Sequence, residues 1–448
     1  MQFALKSQEI PQSQFDRVLN GNRKNGLQEL DAPIHRWWRF ILAFPPHLVS
    51  QYLDEFGCEG PGSTVLDPFS GTGTTLVEAK RRGCFAIGLE ALDFCFLASK
   101  VKTTWEISLP QLERESKRLF ADIAEEFSQY GFFSENSLFQ DYQNYQNPIV
   151  CPYKLSLDQQ KLLGKGYISD RPLQKLLTIQ KYVLSLPPSP VADFFKMALG
   201  SMAVIASNVG FGPEIYCKKM KKDEDVWALF SNQIKEMLAD LQMIQKKRFG
   251  PSSVFHQDAR TMKSLGNLKI DAVITSPPYP NEKNYGRITR IENIITNLIQ
   301  NKEDLRRLKK GLIRSNSQNM YKGDDDHRYV EKFSSIQRIA NEIEERRLSL
   351  GKTSGWEKLY PLVAKNYFGG LYRHLLDLKP LLKRGGRCAY VVGDQMSFLM
   401  VHIKTGEILA ELASDIGYKI VKIDLWRERW ASASKTPIRE EVVVFSKK

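Results

Sequence analysis

The chain has 448 residues, with Lys+Arg 64 against Asp+Glu 51, a formal net charge of +13 and a pI of about 9.2. Its length exceeds the roughly 250–300 residues at which one hydrophobic core stops growing, and 42% apolar residues exclude global disorder. The charge suits a polyanionic partner, and no basic amphipathic stretch beside an apolar anchor points to a membrane surface.

The six cysteines are scattered without a C-x-x-C pair, which argues against a structural zinc site or a disulfide framework and for free thiols in a reducing compartment. No metal is expected. The opening MQFALKSQEI lacks a basic flank before a long apolar run, and no apolar run reaches the roughly 18–20 residues of a membrane span. A cytoplasmic, nucleoid-associated protein is the expectation.

Taken in chain order, short apolar runs read as buried strands separated by helical spacing. Thr64–Asp67 is followed by a Gly/Thr-rich turn and a helix over Leu76–Arg82; Cys84–Glu90 is followed by a helix over Phe94–Val101. Val254–Asp258, Asp271–Ser276, Arg387–Gly393, Lys419–Asp424 and Glu440–Ser446 read as further strands, the last two forming a hairpin. Continuous apolar strands alternating with helices predict an α/β fold with a sheet covered on both faces. Two long segments interrupt it, both helical in pattern, as at Leu229–Ile244. The division is a core over 1–104, 252–282 and 366–448, with helical inserts over 105–251 and 283–365.

The turn Asp67-Pro68-Phe69-Ser70-Gly71-Thr72-Gly73-Thr74-Thr75 lets the backbone approach a ligand and opens a helix with free N–H groups. It lacks the third glycine of G-x-G-x-x-G and the G-K-[ST] of a P-loop, so neither a pyrophosphate nor a triphosphate fits. Glu90 closes the next strand, where a carboxylate can accept both hydroxyls of an adenosine ribose. Asp258, followed by Ala259, closes the third and can accept from an adenine amino group.

Ser276-Pro277-Pro278-Tyr279 ends the apolar strand DAVIT. Two prolines remove backbone donors and free carbonyls for a pocket, while Tyr279 supplies a flat face. The lone pair of an aromatic amine is delocalised into its ring. Acceptors at the Ser276 oxygen and the Pro277 carbonyl would hold its N–H groups and direct the lone pair outward, by positioning and electrostatics. Tyr279 would stack on a base flipped from its helix.

These motifs resemble those of the DNA amino-methyltransferases. The resemblance implies a Rossmann-like class I methyltransferase fold, a mostly parallel seven-stranded sheet with an antiparallel last strand. It also implies S-adenosyl-L-methionine as cofactor and double-stranded DNA as partner. The turn from Asp67 to Gly73 looks like the motif for the methionine part; Glu90 and Asp258 match the ribose and adenine positions, and Ser276–Tyr279 the catalytic tetrapeptide. Serine in first place is typical of cytosine-N4 enzymes, where adenine-N6 enzymes usually carry aspartate. The block from Ile34 through His35 and Trp37 to Leu48 resembles the family's segment beside the methionine end, and Arg439–Phe445 its last strand.

The resemblance implies methylation of cytosine N4 in duplex DNA, in a restriction–modification system with a cognate endonuclease. Alternatives are adenine N6 in DNA, a guanine amino group in RNA, or an inactive DNA-binding specificity subunit. The glycine motif precedes the catalytic motif, with no room between Asp258 and Ser276 for a recognition region, so recognition is expected in an insert. Candidate phosphate contacts are Lys218, Lys219, Lys221 and Lys222, with Arg306 and Arg307; Lys246-Lys247-Arg248 is a further cluster. Asn281, Asn284, Tyr285 and Arg287 are candidates to reach base edges or fill the vacated stack.

Overall fold

Side chains along the central strands alternate between two cores. Val65, Ala272, Ile274, Ala389, Val391, Val442 and Val444 face one way, where Leu48, Val49, Tyr52 and Leu53 of helix Pro46–Phe56 cover them. Leu66, Val273, Cys388, Tyr390, Val392, Val443 and Phe445 face the other, under Tyr367, Leu371 and Leu375 of helix Tyr360–Leu378. The strict period of two buries both faces, which is why these strands read as continuous apolar runs. The computed structural model describes residues 27, 31–40, 42–133, 148–211, 215–353, 355–430 and 437–448; the N-terminal decapeptide lies outside them.

The strands are β1 Thr64–Asp67, β2 Phe85–Glu90, β3 Val209–Phe211, β4 Ile215–Cys217, β5 Ser252–His256, β6 Ile270–Thr275, β7 Leu382–Gly393, β8 Tyr418–Trp430 and β9 Pro437–Lys447. The main sheet has seven strands in the order β5-β2-β1-β6-β7-β9-β8. β9 is antiparallel to both β7 and β8, and the pairings from β5 to β7 are parallel. This is the Rossmann-like class I methyltransferase fold with helical additions.

Several boundaries differ from the sequence reading. β5 starts at Ser252 and ends at His256, so Asp258 stands in the loop beyond it. β8 runs farther than its apolar stretch because cross-strand hydrogen bonding to β9 continues through polar residues as far as Trp430↔Pro437, and β7 starts early, at Leu382, which pairs with Ile270 of β6. The β3–β4 hairpin inside the first insert escapes notice because each strand has only 3 residues, too few to show a period.

The first insert packs around a core in which Leu112, Leu119, Phe127, Leu176, Phe194, Phe195, Trp227 and Ile234 are buried and which Trp37, Trp38, Phe94 and Leu97 of the N-terminal part share. Four of its described helices start on side-chain caps: Ser108, Ser189 and Asp225 each accept from the backbone N–H three residues on, and Ser156 forms a capping box with Gln159. The second insert is not one unit. Ile291, Ile294, Ile295 and Leu308 join the core of the first insert, whereas Val330, Phe333, Ile336 and Ile343 pack with helix Tyr360–Leu378 against the sheet. Apolar spacing alone shows that such helices have a buried face, not which core takes it. Among the described residues no helix is long and apolar enough to cross a membrane.

Candidate active site

From β1 the chain winds outward to β2 and β5, then returns past β1 to β6. The strand order therefore reverses between β1 and β6, and ligands of open α/β sheets bind at the carboxyl ends of strands beside such a reversal. A cavity of about 670 Å³ lies there, within the usual range for small-molecule sites. The segments following β1, β2, β5, β6 and β7 all line it.

At one end the glycine turn is held by backbone geometry. Gly71 and Gly73 have φ of 52° and 81°, in the left-handed region that side chains disfavour. A Cβ on Gly73 would also stand 3.1 Å from Ser99 Cα, so the turn packs directly on helix Asp93–Thr103. Both oxygens of Glu90 are engaged: Gly71 N–H donates to Oε2 at 2.7 Å and Leu92 N–H to Oε1 at 2.8 Å. Burial pushes the Glu90 carboxyl up to about 7, with these two bonds opposing the rise. Ser70 lines the cavity, while its Oγ is buried near Gly88 without a hydrogen-bond partner among the described residues.

Asp67 stitches the two motifs together instead of lining the cavity. Its Oδ1 accepts from Thr275 Oγ at 2.6 Å and from Phe69 N–H at 3.1 Å, and burial pushes it up to about 6. Thr75 Oγ donates to the Ile274 carbonyl at 3.0 Å. The glycine turn is thus fastened to the end of β6, immediately before Ser276.

Beyond β5, Asp258 lines the cavity with its carboxylate held by Arg260 through Nε at 3.1 and 3.0 Å and Nη2 at 2.7 Å. Arg260 Nη1 also reaches Asp326 at 2.7 Å, tying this loop to the second insert.

At the other end lie Ser276, Pro277, Pro278 and Tyr279. The Ser276 hydroxyl donates to the Val391 carbonyl at 3.0 Å. With its proton committed there, the oxygen can serve a ligand only as an acceptor. Tyr367 donates to the Pro278 carbonyl at 2.8 Å, while the Pro277 carbonyl has no such bond among the described residues. Tyr279 N–H donates to the Tyr285 hydroxyl at 3.2 Å, which fixes the turn after the tetrapeptide.

Of the residues singled out in the sequence, Pro68, Phe69, Gly71, Thr74, Glu90, Asp258, Ala259, Asn281 and Tyr285 line the same cavity as the tetrapeptide. Gly73 and Thr75 do not; they set the turn's conformation and its attachment. His35 and Trp37 do not line it either. His35 Nε2 pairs with Glu78 at 2.8 Å, and Trp37 Nε1 donates to Asp240 of the first insert at 2.9 Å. Both are buried where helix Thr74–Arg81 and the first insert meet the chain's N-terminal segment, so their aromatic and polar character serves packing. Phe40, Leu42, Ala43 and Phe44, farther along the same block, are the ones that reach the cavity.

Asn284 caps a short helix through Arg287 N–H and bonds Gln318, and Arg287 reaches Tyr167 of the first insert at 3.3 Å. Neither lines the cavity. Lys218, Lys219 and Lys222 are exposed beyond the β3–β4 hairpin. Lys221 differs, its ammonium bound to Glu224 and to the Ile205 carbonyl. Arg306 and Arg307 are exposed on helix Lys302–Lys310, which leads into the cavity-lining Gly311–Ile313.

Sequence reasoning did not pick out Gly311–Ile313, Gln395–Ser397 or Met400, which carry no motif. Trp426, Arg427, Arg429 and Trp430, aromatics and cations just ahead of the last strand, are candidates from the sequence to line the base pocket or the DNA surface, and all four line the cavity. The signal available for those four was their clustering on one strand.

A family model described as DNA methylase matches residues 7–99. Over 467 aligned positions the chain is 24% identical to the Type II methyltransferase M.BsoBI of Geobacillus stearothermophilus, covering 97% of this chain and 88% of that protein. It is 22% identical to the Type II methyltransferase M.AvaI of Nostoc sp. and of Anabaena variabilis, over 87% of this chain and 80% of each relative. These likenesses support a DNA amino-methyltransferase family, in keeping with the glycine turn after β1 and the order of the seven-stranded sheet.

Proposed function

We propose that the chain transfers a methyl group from S-adenosylmethionine to the exocyclic N4 amine of cytosine within a specific duplex DNA sequence. The observation that carries this reading is the shared cavity: the glycine turn with Glu90 at one end and Ser276–Tyr279 at the other, joined through Asp67 and Thr275. The likeness to Type II methyltransferases supports DNA as substrate and a restriction–modification setting.

The residues present fit the cofactor. Glu90 offers carboxylate oxygens for ribose hydroxyls, Asp258 can accept from an adenine amino group, and the glycine turn suits the methionine part. When bound, the cofactor supplies a methyl group activated on a sulfonium. Ser276 Oγ and the Pro277 carbonyl accept from the amine's N–H groups, and Tyr279 stacks on the extruded base. These contacts oppose delocalisation of the nitrogen lone pair and hold it in line for attack. Lys218, Lys219, Lys222, Arg306 and Arg307 neutralise phosphates, and the inserts read the target sequence.

The test is single-molecule sequencing of DNA from a methylation-free host that expresses the chain. N4-methylcytosine at one motif is the expected result. N6-methyladenine would overturn the base assignment, and unmodified DNA would overturn the substrate.

A further inference from the structure

We propose that Arg427 is the specificity-determining residue that selects cytosine over adenine, by donating to the cytosine ring carbonyl O2. This rests on the reading of the cavity as the base site of a DNA amino-methyltransferase.

The placement begins with a bulge. β8 pairs Leu425 with Glu441 and Arg427 with Glu440, leaving Trp426 as an extra residue. An extra residue breaks the alternation of a strand and re-aims its side chains. As a result Trp426, Arg427 and Arg429 all line the cavity, with Ile438 and Glu440 of β9 opposite them.

Glu440 is only 5% exposed and organises the group. Arg427 Nε lies 2.5 Å from its Oε2, and Arg429 Nε lies 2.9 Å from its Oε1. The Arg427 guanidinium sits 4.7 Å above the Trp426 ring. Its plane is thereby held by one ion pair and one stacking contact, while its terminal Nη groups make no hydrogen bond among the described residues. A guanidinium keeps its charge at any physiological pH, so these donors are permanent.

The cluster stands beside the Tyr279 ring. A Cβ built on Gly393 would meet Tyr279 Cε2 at 3.0 Å and Glu440 Cγ at 3.1 Å, so ring and carboxylate side chain close on the same glycine. A base stacked on Tyr279 therefore has the Arg427–Glu440 pair at its border.

The two candidate bases differ at that border. Both place a ring-nitrogen acceptor beside the amino group. The next position is O2, an acceptor, in cytosine, and a C–H in adenine. A fixed donor there gains a charge-assisted hydrogen bond from cytosine and is left facing a C–H by adenine. The expected discrimination is roughly 10- to 100-fold in kcat/KM.

The test uses the whole protein and synthetic duplexes carrying the motif found by sequencing, with cytosine or 2-thiocytosine at the target. The sulfur of 2-thiocytosine is a weak acceptor. Wild type should lose about tenfold or more on the thio-base. R427M should be slowed to a similar extent on cytosine and be indifferent to the sulfur, with cofactor affinity retained because Arg429 still pairs with Glu440. Comparing both changes cancels the steric effect of sulfur. Should R427M lose cofactor affinity through misfolding, R427K carries the comparison, keeping the charge without the planar donor fork. A thio-penalty in the variant equal to that of wild type, or undiminished activity on cytosine, would overturn the proposal. Mass spectrometry of the product separates this from failure of the underlying reading: wild type that yields N6-methyladenine defeats both.

Discussion

The two ends of the cavity are built on different length scales. The end holding Glu90 and the glycine turn is centred on a short stretch between Pro68 and Leu92, in which backbone donors and positive-φ glycines do most of the shaping, with Asp258 added from the loop after β5. The end holding Tyr279 is assembled from the loop after β6, the loop after β7 and the β8–β9 pair. A site made by one tight turn resists change because its geometry is local. A site made by distant segments can vary in every wall, which is where selection of one base over another has room to evolve.

Substitution at the assembled end should have the largest catalytic effect. Replacing Ser276 by Ala removes the acceptor whose proton is committed to Val391. Turnover should fall about 100- to 1000-fold, with cofactor affinity changed by less than about threefold. A parallel loss of cofactor binding by calorimetry would show that the two ends are not separable.

Glu90→Gln probes the local end and should weaken the cofactor by roughly 10- to 100-fold. The pH dependence sharpens this. Burial raises the Glu90 carboxyl to about 7, so the charged form is penalised in the free folded protein from the ordinary carboxylate range up to that value. Ribose hydroxyls donate to the charged form, so affinity should rise by up to about tenfold per pH unit below 7 and level off above it. A flat profile in wild type would remove Glu90 from the cofactor's contacts.

Gly73→Ala tests how much of the local end is conformational. The φ of 81° and the approach to Ser99 should together cost about 2–3 kcal/mol, read as a lowered thermal midpoint. Unchanged stability would mean that the turn shifts easily.

The smallest effect is expected at residues that do not line the cavity. Replacing Lys218, Lys219 and Lys222 together by Ser should lower the salt slope of DNA affinity by up to about 0.9 for each phosphate left without its lysine. Adding Lys221→Ser should lower it no further, because that ammonium is already bound to Glu224 and Ile205. An unchanged slope for the triple variant would make the cluster an ordinary solvated surface.

How legible each part was follows the same division of scales. The strands around Val65, Val273 and Val443 were visible because burial on both faces demands unbroken apolar runs, and the glycine turn because positive φ demands glycine. Asp258 was visible as an acid near a strand end, but not its capture by Arg260, whose second partner Asp326 is 66 residues away. His35 and Trp37 misled: a His and a Trp ahead of the first strand look like pocket walls, yet Glu78 and Asp240 draw them into the packing between core and insert.

By itself, then, the sequence determined the α/β alternation, the turn, and the chemistry available at Ser276–Tyr279, since each depends on neighbours a few residues apart. Tertiary structure alone decided that the second insert divides between two cores. It alone bends β8 at Trp426, so that Arg427 and Glu440 meet across strands beside Tyr279. Those outcomes depend on register and long-range packing, which no local pattern of residues encodes.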